Sequence, residues 1–305
     1  MSSIDIAICE VGPRDGLQSI PRVLPTAAKK SWIEALYRAG VPEIEVGSFV
    51  PATLLPQLAD TADLVPFATG LEGLGVVVLV PNLRGLEAAV AAGAHRVTLP
   101  FSMSETHSVR NVRKTHPQML EEIGRCAEFL RQQAETRRPT FRVALATAFG
   151  CTLEGPVPED RVIRLAARAV ELGAEQLVLA DTTGYGNPAQ LKRLARGIWA
   201  ACGRDRLNGV HLHNTRGQGL ANALMAVEIG IARFDSSLGG IGGCPYAPGA
   251  SGNIVTEDLV WLLESMGLRT GIDLEKLLAA RDLLQQALPG EPLYGHLAAA
   301  GLPTT

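Results

Sequence analysis

The stretch GVHLHNTRGQGLANALMAVEIGIARFDSS, residues 209–237, is the clearest guide to the architecture of this chain. It begins with a short predicted strand, Gly209–His213, and continues through a polar loop into a predicted helix, Gly219–Ile229, which Gly230 closes. A second predicted strand, Arg233–Ser237, follows two residues later. Two strands joined by a helix form a βαβ unit, in which we expect the strands to run parallel.

The same alternation of short strands and longer helices runs through the rest of the chain. The other predicted strands are Ile4–Val11, Glu43–Ser48, Gly75–Val80, Arg96–Pro100, Phe141–Ala146 and Gln176–Ala180. The other predicted helices are Thr26–Arg38, Arg84–Ala92, Gln118–Thr136, Glu159–Leu172, Pro188–Ala201 and Thr256–Met266. This alternation predicts an α/β protein whose eight parallel strands close into a (β/α)8 TIM barrel. An open doubly wound sheet is the alternative, but no GxGxxG motif follows the first strand, so we expect no nucleotide cofactor.

The chain continues beyond the eighth unit. A further helix is predicted over Asp273–Gln286, and residues 288–305 are rich in proline and glycine. We therefore expect a single barrel over residues 1–287, including an additional C-terminal helix. The tail over residues 288–305 is expected to pack on the outside of the barrel or to fray.

The composition argues against several kinds of partner. The chain has 305 residues and a net charge of -3, which does not favour a surface that binds nucleic acid. Its five cysteines are irregularly spaced and form no CxxC pair, which predicts reduced thiols and a cytoplasmic protein. The first residues lack the basic and apolar regions of a signal peptide, and the apolar run Gly75–Pro81 is too short to cross a membrane. Neither a nucleic acid nor a membrane is an expected partner.

Two histidines, His211 and His213, end the seventh predicted strand. Side chains two residues apart on a strand point to the same side, so both imidazoles can meet one ion. Imidazole together with carboxylate or amide oxygen suits a divalent metal. Two solvated histidines, or two that the core satisfies, are the alternative. Polar residues at the ends of other predicted strands favour the metal site.

Those polar residues lie at the carboxyl ends of the strands, which is where barrels of this kind build their active sites. Arg14 and Asp15 follow the first predicted strand. Glu45 lies within the second, where an inward-facing carboxylate needs a partner such as Arg14 or a metal. Glu43 begins the same strand and is expected to be solvated. For Asp181, at the end of the sixth strand, a turn cap and a site role are equally favoured.

A glycine-rich loop, residues 239–253, follows the eighth predicted strand. It carries Cys244, for which we expect a chemical role because glycines rather than apolar helix surround it. Thr256 is expected to cap the next helix, which leaves Asn253 to bind a ligand. The remaining cysteines are expected to be structural, and we expect four histidines on solvated surfaces or loops: His95, His107, His116 and His296.

Three segments of the chain resemble 3-hydroxy-3-methylglutaryl-CoA lyase. They are PRDGLQ (residues 13–18), HLHNTRGQ (residues 211–218) and the loop that contains GCPY and GASGN (residues 243–253). The resemblance spans nearly the whole chain. The cysteine-containing loop is its most specific motif, because the other two are shared with a wider superfamily of barrel metallo-lyases, aldolases and Claisen-type synthases.

The resemblance implies a site for Mg²⁺ or Mn²⁺ with four ligands: Asp15, His211, His213 and Asn253. It also implies that Arg14 steadies developing oxyanion charge, that Glu45 supports Arg14 and the metal, and that Cys244 acts from a loop closing over an acyl-CoA substrate. Zinc is the alternative ion, because His and Cys are its usual ligands. The sequence departs from the family at Asn214, where Asp is common, and at Arg216, where Tyr is familiar. These departures bear on the tuning of the metal ligands and on the identity of the substrate.

The reaction that the resemblance implies is a retro-Claisen cleavage of the 3-hydroxyacyl-CoA into acetyl-CoA and a keto acid, acetoacetate. Asp15 and His211 are both candidates to accept the hydroxyl proton, and Cys244 is a candidate to protonate the enolate. A lyase for citramalyl-CoA or a longer 3-branched glutaryl-CoA is the first alternative. A condensing synthase, a 4-hydroxy-2-oxo acid aldolase and a non-enzymatic metal-binding barrel follow. Barrels of this type often form a homodimer, and the sequence leaves the oligomeric state open.

Overall fold

Eight parallel strands form a closed barrel in this computed structural model, which describes residues 4–243 and 252–303. Each strand pairs with the next along the chain, and β8 pairs with β1 in parallel. The predicted (β/α)8 barrel is therefore confirmed. The strands are β1 (Ala7–Glu10), β2 (Glu43–Ser48), β3 (Gly75–Leu79), β4 (Arg96–Ser102), β5 (Thr140–Ala146), β6 (Gln176–Asp181), β7 (Leu207–Leu212) and β8 (Arg233–Ser236).

Helices follow the strands and cover the outside of the barrel. Within the described residues they are α1 (Thr26–Arg38), α2 (Thr61–Thr69), α3 (Leu83–Ala92), α4 (Glu105–Val112), α5 (His116–Arg131), α6 (Glu159–Glu171), α7 (Pro188–Cys202), α8 (Gly219–Glu228), α9 (Thr256–Ser265), α10 (Leu274–Ala287) and α11 (Leu297–Ala300). No helix in residues 4–243 or 252–303 is long and apolar enough to cross a membrane.

The helix boundaries follow from caps that the sequence carries. The side chain of Asn82 accepts a hydrogen bond from the backbone N–H of Gly85 at the start of α3, and Asn187 does the same for Gln190 in α7. Gly93 ends α3 with a φ of 87°, which a residue with a side chain rarely adopts. α5 begins earlier than predicted, because Thr115 and Gln118 form a capping box at its first turn. It also ends earlier than predicted, at Arg131.

The alternation of side chains along the strands separates two apolar regions. On β3, Val76 and Val78 belong to the main core, which the helices cover. Val77 points the other way and packs with Cys9 and Val11 in a small cluster. This small cluster contributes little apolar volume, so much of the barrel interior is left to polar side chains.

One group of interior polar side chains includes Glu43, at the start of β2. The structure buries Glu43 and pairs it with Arg96, at 2.5 Å, and with Arg233. Burial acts to raise the pKa of this carboxyl, but the two guanidinium groups outweigh it and hold the pKa below its usual range. The expectation that Glu43 is solvated is therefore wrong. At the amino end of the strands it forms a partly buried ion-pair network with these two arginines.

Candidate metal centre and active site

Arg14 and Asp15 lie in a single turn of π-helix, Gly12–Gly16, directly after β1. The backbone N–H groups of Asp15 and Gly16 donate to the carbonyl of Val11, at 2.7 and 3.3 Å. We expected no helical residues before Thr26, and this turn corrects that expectation. Single π-turns recur at functional sites because they re-aim side chains, and this one directs two buried charged groups toward the mouth of the barrel.

Arg14 connects the two carboxylates beside it. Its Nε donates to Oε2 of Glu45 at 2.5 Å, and its Nη1 donates to Oδ1 of Asp15 at 2.6 Å. Burial acts to lower the pKa of Arg14, but the charges of Glu45 and Asp15 raise it well above its usual value. Burial raises the pKa of Glu45 more than Arg14 lowers it. The arginine therefore stays charged and is held in a fixed orientation by both partners.

The two histidines converge on the same carboxylate. Nε2 of His211 lies 3.2 Å from Nε2 of His213, and these atoms lie 3.8 and 3.9 Å from Oδ2 of Asp15. Burial and the neighbouring His211 lower the pKa of His213 to about 4, so its imidazole is neutral at pH 7 and offers a lone pair. The three ligand atoms lie within 4.8 Å of one another, a spacing that a shared cation would satisfy.

Asn253 completes the group from the far end of the sequence. Backbone pairing lays residues 252–254 beside the end of β7, where the N–H of Ile254 donates to the carbonyl of Leu212 at 3.0 Å. This pairing places Nδ2 of Asn253 2.7 Å from Oδ2 of Asp15. Burial acts to raise the pKa of Asp15, but Arg14, the histidines and Asn253 together lower it to about 2.

Two polar atoms in this group are buried without a hydrogen-bond partner among the described residues. They are Oδ1 of Asn253 and Nδ1 of His213. Burying such atoms unpaired is costly. A half-turn of the Asn253 amide exchanges its nitrogen and oxygen, so the residue can present an oxygen to a cation beside Asp15. Two imidazoles, a carboxylate and an amide oxygen therefore fit a divalent metal.

Cys244 lies outside the described residues. The structure places the start of its loop close to the candidate metal ligands. Gly242 has a φ of 103°, and a Cβ added there would lie 2.5 Å from Nδ2 of Asn253 and 3.0 Å from the carbonyl oxygen of Asp15. Glycine is required at this position because the backbone passes directly over the side chain of Asn253 and the backbone carbonyl of Asp15.

Glu10, which the sequence analysis did not single out, connects three segments around the site. Its buried carboxylate accepts hydrogen bonds from the N–H of Gly12 at 2.8 Å, the N–H of Leu238 at 2.9 Å and the hydroxyl of Thr256 at 2.7 Å. Burial raises its pKa to about 8, although these hydrogen bonds act to lower it. The carboxylate of Glu10 therefore joins three segments. They are the turn that carries Arg14, the start of the glycine-rich loop and the segment that follows this loop.

Asp235, on β8, is a second residue that the sequence analysis missed. It lies opposite His211 in the register of β7 and β8, and its Oδ2 is 3.3 Å from Nδ1 of His211. Nη1 of the buried Arg142 lies 4.0 Å from its other oxygen. Burial acts to raise the pKa of Asp235, but Arg142 and His211 lower it. A carboxylate behind an imidazole fixes the ring so that its other nitrogen faces the metal.

We expect Asp235→Asn to weaken metal binding roughly 10- to 100-fold, the usual cost of losing a carboxylate behind a histidine ligand. The amide keeps a hydrogen bond to His211 but removes the charge. Calorimetric titration with Mn²⁺ measures the change. Asp181→Asn is the matched control, because Asp181 is also buried at a strand end but is bonded to the N–H groups of Tyr185 and Gly186. Equal affinities in the two variants would contradict the role of Asp235.

The structure decides three expectations about single residues: it selects the turn cap for Asp181 and corrects the expectations for His107 and Thr256. Asp181 caps the turn after β6, and burial raises its pKa to about 6 despite the two N–H groups that it accepts. His107 is buried rather than solvated, with Nδ1 2.7 Å from the hydroxyl of Ser102. Thr256 does not cap α9, because its hydroxyl donates to Glu10 and Val255 holds the cap position.

The two departures from the family pattern lie on the turn after His213. The side-chain oxygen of Asn214 accepts the N–H of Gly219 at 3.0 Å, at the start of α8. Nη1 of Arg216 donates to the carbonyls of Thr183 and Gly184. Asn214 therefore supports the helix start, and Arg216 reaches across to the loop after β6.

The fold and this group of side chains define a barrel protein with a candidate divalent-metal centre at the carboxyl ends of its strands. The model of the HMGL-like family matches residues 5–284. The chain belongs to this family.

Individual relatives agree with the family match over nearly the full chain. The chain is 41% identical over 288 residues to the hydroxymethylglutaryl-CoA lyase of Bacillus subtilis strain 168, covering 94% of each. It is 43% identical over 310 residues to the (R)-citramalyl-CoA lyase of Chloroflexus aurantiacus, covering 97% of this chain and 95% of that one. A structure of an HMG-CoA lyase from Acinetobacter baumannii, in complex with coenzyme A and 3-methylmalate, superposes with a TM-score of 0.90 at 40% identity, covering 99% of this chain and 97% of that one. The resemblance to HMG-CoA lyase and the class of carbon–carbon lyase are confirmed.

Proposed function

We propose that this protein is a metal-dependent carbon–carbon lyase that cleaves 3-hydroxy-3-methylglutaryl-CoA into acetyl-CoA and acetoacetate. The observation that carries the proposal is the convergence of Asp15, His211, His213 and Asn253 beside the fixed cation of Arg14. Its family relatives include lyases named for this thioester. A condensing synthase and an aldolase have no comparable support.

The proposed ion is Mg²⁺ or Mn²⁺, held by those four side chains. Two of the four are oxygen donors, which suit harder ions better than zinc. When bound, the ion would polarise the substrate hydroxyl and so ease its deprotonation. Asp15 and His211 both face this position, and each remains a candidate to accept the proton.

Arg14 is the group that we propose to stabilise the enolate. Its Nε and Nη1 are held by Glu45 and Asp15, and its Nη2 has no hydrogen-bond partner among the described residues. That N–H group is therefore free to donate to a substrate oxygen on which negative charge develops. Glu45 would keep the guanidinium oriented while the reaction proceeds. We propose that Cys244 delivers the proton to the enolate carbon.

A citramalyl-CoA lyase is the second candidate. It is favoured by the identity to the Chloroflexus enzyme. The two substrates differ by little, and one methylene changes selectivity by only about 1–3 kcal/mol. Small differences in the lining of the pocket would decide between them.

A substrate panel tests the proposal. The purified protein is assayed with 3-hydroxy-3-methylglutaryl-CoA, citramalyl-CoA and a longer 3-branched glutaryl-CoA, each with Mg²⁺, Mn²⁺, Zn²⁺ or a chelator, by release of acetyl-CoA. We expect the highest kcat/KM with the first substrate, dependent on Mg²⁺ or Mn²⁺. Higher turnover of citramalyl-CoA would select the second candidate. Negligible turnover of all three would refute the lyase, and activity with zinc alone would refute the choice of ion.

Two further proposals accompany this function. The free thiols of Cys9, Cys126, Cys151 and Cys202 are consistent with a cytoplasmic protein. A homodimer is the assembly that we propose, and size-exclusion chromatography with light scattering measures it.

A further inference from the structure

A rigid turn follows the second histidine of the candidate metal site. The N–H of Gly217 donates to the carbonyl of Asn214 at 2.9 Å, and the Asn214 side chain is itself bonded to the first turn of α8. Gly217 has a φ of 70°, and glycine is favoured at the last position of such a turn. Arg216 is therefore mounted on a fixed backbone three residues after His213, on the face of the barrel that carries the site.

The side chain of Arg216 is also held in place. Its Nη1 donates to the carbonyls of Thr183 and Gly184, at 2.9 and 3.1 Å, and its Cζ lies 4.3 Å from the ring centre of Tyr185. The stacked ring and the two carbonyls restrict the guanidinium to one orientation. Much of the entropy that an arginine loses when it binds an anion is thus already lost in the folded protein.

The positive charge of Arg216 acts to lower the pKa of the buried Asp181 carboxyl, but the two groups form no ion pair. Among residues 4–243 and 252–303, Arg216 forms no ion pair, and its Nε and Nη2 have no hydrogen-bond partner. Five exposed arginines on the outer helices do pair with a carboxylate: Arg38, Arg131, Arg164, Arg168 and Arg193. An exposed guanidinium that is held in one orientation, forms no ion pair and follows His213 by three residues is suited to an anionic ligand.

We infer that Arg216 binds an oxyanion of the thioester substrate and so helps to determine which acyl-CoA the site accepts. The inference rests on the proposed function. Such a substrate offers two kinds of oxyanion, the carboxylate of its acyl group and the phosphates of coenzyme A. The position of Arg216 so soon after His213 favours the carboxylate, because the acyl end is the part of the substrate that reacts at the metal site.

Arg204 provides a matched control for a purely structural role. Its Cζ lies 4.5 Å from the ring centre of Trp199, and its Nη2 donates to the carbonyl of Ile229 at 2.8 Å. Arg204 is thus held by an aromatic ring and a backbone carbonyl, as Arg216 is. It precedes β7, however, and so lies at the opposite end of the barrel. A structural arginine would respond to substitution in the same way at both positions.

The test compares Arg216→Gln, Arg216→Lys and Arg204→Gln with the wild type, using the CoA thioester and the corresponding pantetheine thioester, which lacks the CoA phosphates. We expect Arg216→Gln to raise KM roughly 10- to 100-fold for both thioesters, as the loss of a charged hydrogen bond predicts, with kcat changed only a few-fold. Arg216→Lys should recover part of the loss. Arg204→Gln should match the wild type, and thermal unfolding checks that all variants are folded.

The outcomes separate the two claims. A KM effect confined to the CoA thioester would support the oxyanion site and assign it to a phosphate. Wild-type KM values for Arg216→Gln with both thioesters would overturn the inference, and so would an equal effect of Arg204→Gln. Absence of turnover by the wild type itself would instead refute the proposed function.

Discussion

Replacing Arg14 by lysine should lower kcat by about 10²- to 10³-fold, the usual effect of removing a donor aimed at an oxyanion. The guanidinium contacts Glu45 and Asp15 through two different nitrogens and still has a third to offer. A lysine ammonium is a single point and cannot reproduce this planar fork. Initial rates with saturating substrate and Mg²⁺ measure the loss.

The metal affinity of the same variant should remain nearly unchanged, because Arg14 itself donates no ligand. Arg96→Lys is the matched control, since Arg96 is also paired with a buried glutamate, Glu43, but at the other end of the strands. We expect that variant to keep wild-type kcat. Near-normal turnover of Arg14→Lys would remove this residue from the proposed mechanism.

Replacing His213 by alanine should weaken metal binding by more than the roughly 10- to 100-fold that is usual for residues behind the ligands. The imidazole is buried and neutral at pH 7, and its Nε2 lies 3.2 Å from that of His211 and 3.9 Å from Asp15. Its removal would leave one coordination position of the proposed metal site without a protein ligand. A water molecule there would bind the ion less tightly than the imidazole does. Calorimetric titration with Mn²⁺ gives the dissociation constant directly.

His296→Ala serves as the control for this variant, because His296 is exposed beside α11 and contacts none of the candidate ligands in the described residues. Its affinity for Mn²⁺ should equal that of the wild type. If His213→Ala bound the ion as tightly as the control, His213 could not be a ligand, and the proposed shell would have to be rebuilt around Asp15 and His211.

The barrel was predictable because eight short strands alternate with longer helices along most of the chain. Three helices were missed: α11 is a four-residue helix in the tail, and α2 and α4 have local reasons. α2 contains Pro66, which normally disfavours a helix interior, and α4 is short and polar. Both helices are stabilised by tertiary contacts that no pattern along the chain reveals. In α2, for example, the Thr61 hydroxyl donates to the carbonyl of Ser48.

Within the site, the residues that a motif marks were easier to find than those that support them. Asp15, His211, His213 and Asn253 come together as expected. Glu10 and Asp235 could have been found with the rule applied to Glu45, because each is a carboxylate on a predicted strand of a barrel. Their partners were not predictable, since strand register and loop approach decide which side chains meet across the barrel.

The hydrogen bond between Asn253 and Asp15 also bears on when the site can form during translation. Asp15 and Asn253 are separated by 238 positions, so the chain must close a very long loop before they meet, and β1 has no β8 beside it until late in synthesis. A nascent or truncated polypeptide that ends before the eighth strand contains Asp15 and lacks Asn253, two of the four proposed ligands. We expect such incomplete products to bind no metal and to have no lyase activity. Function would then require the closed barrel.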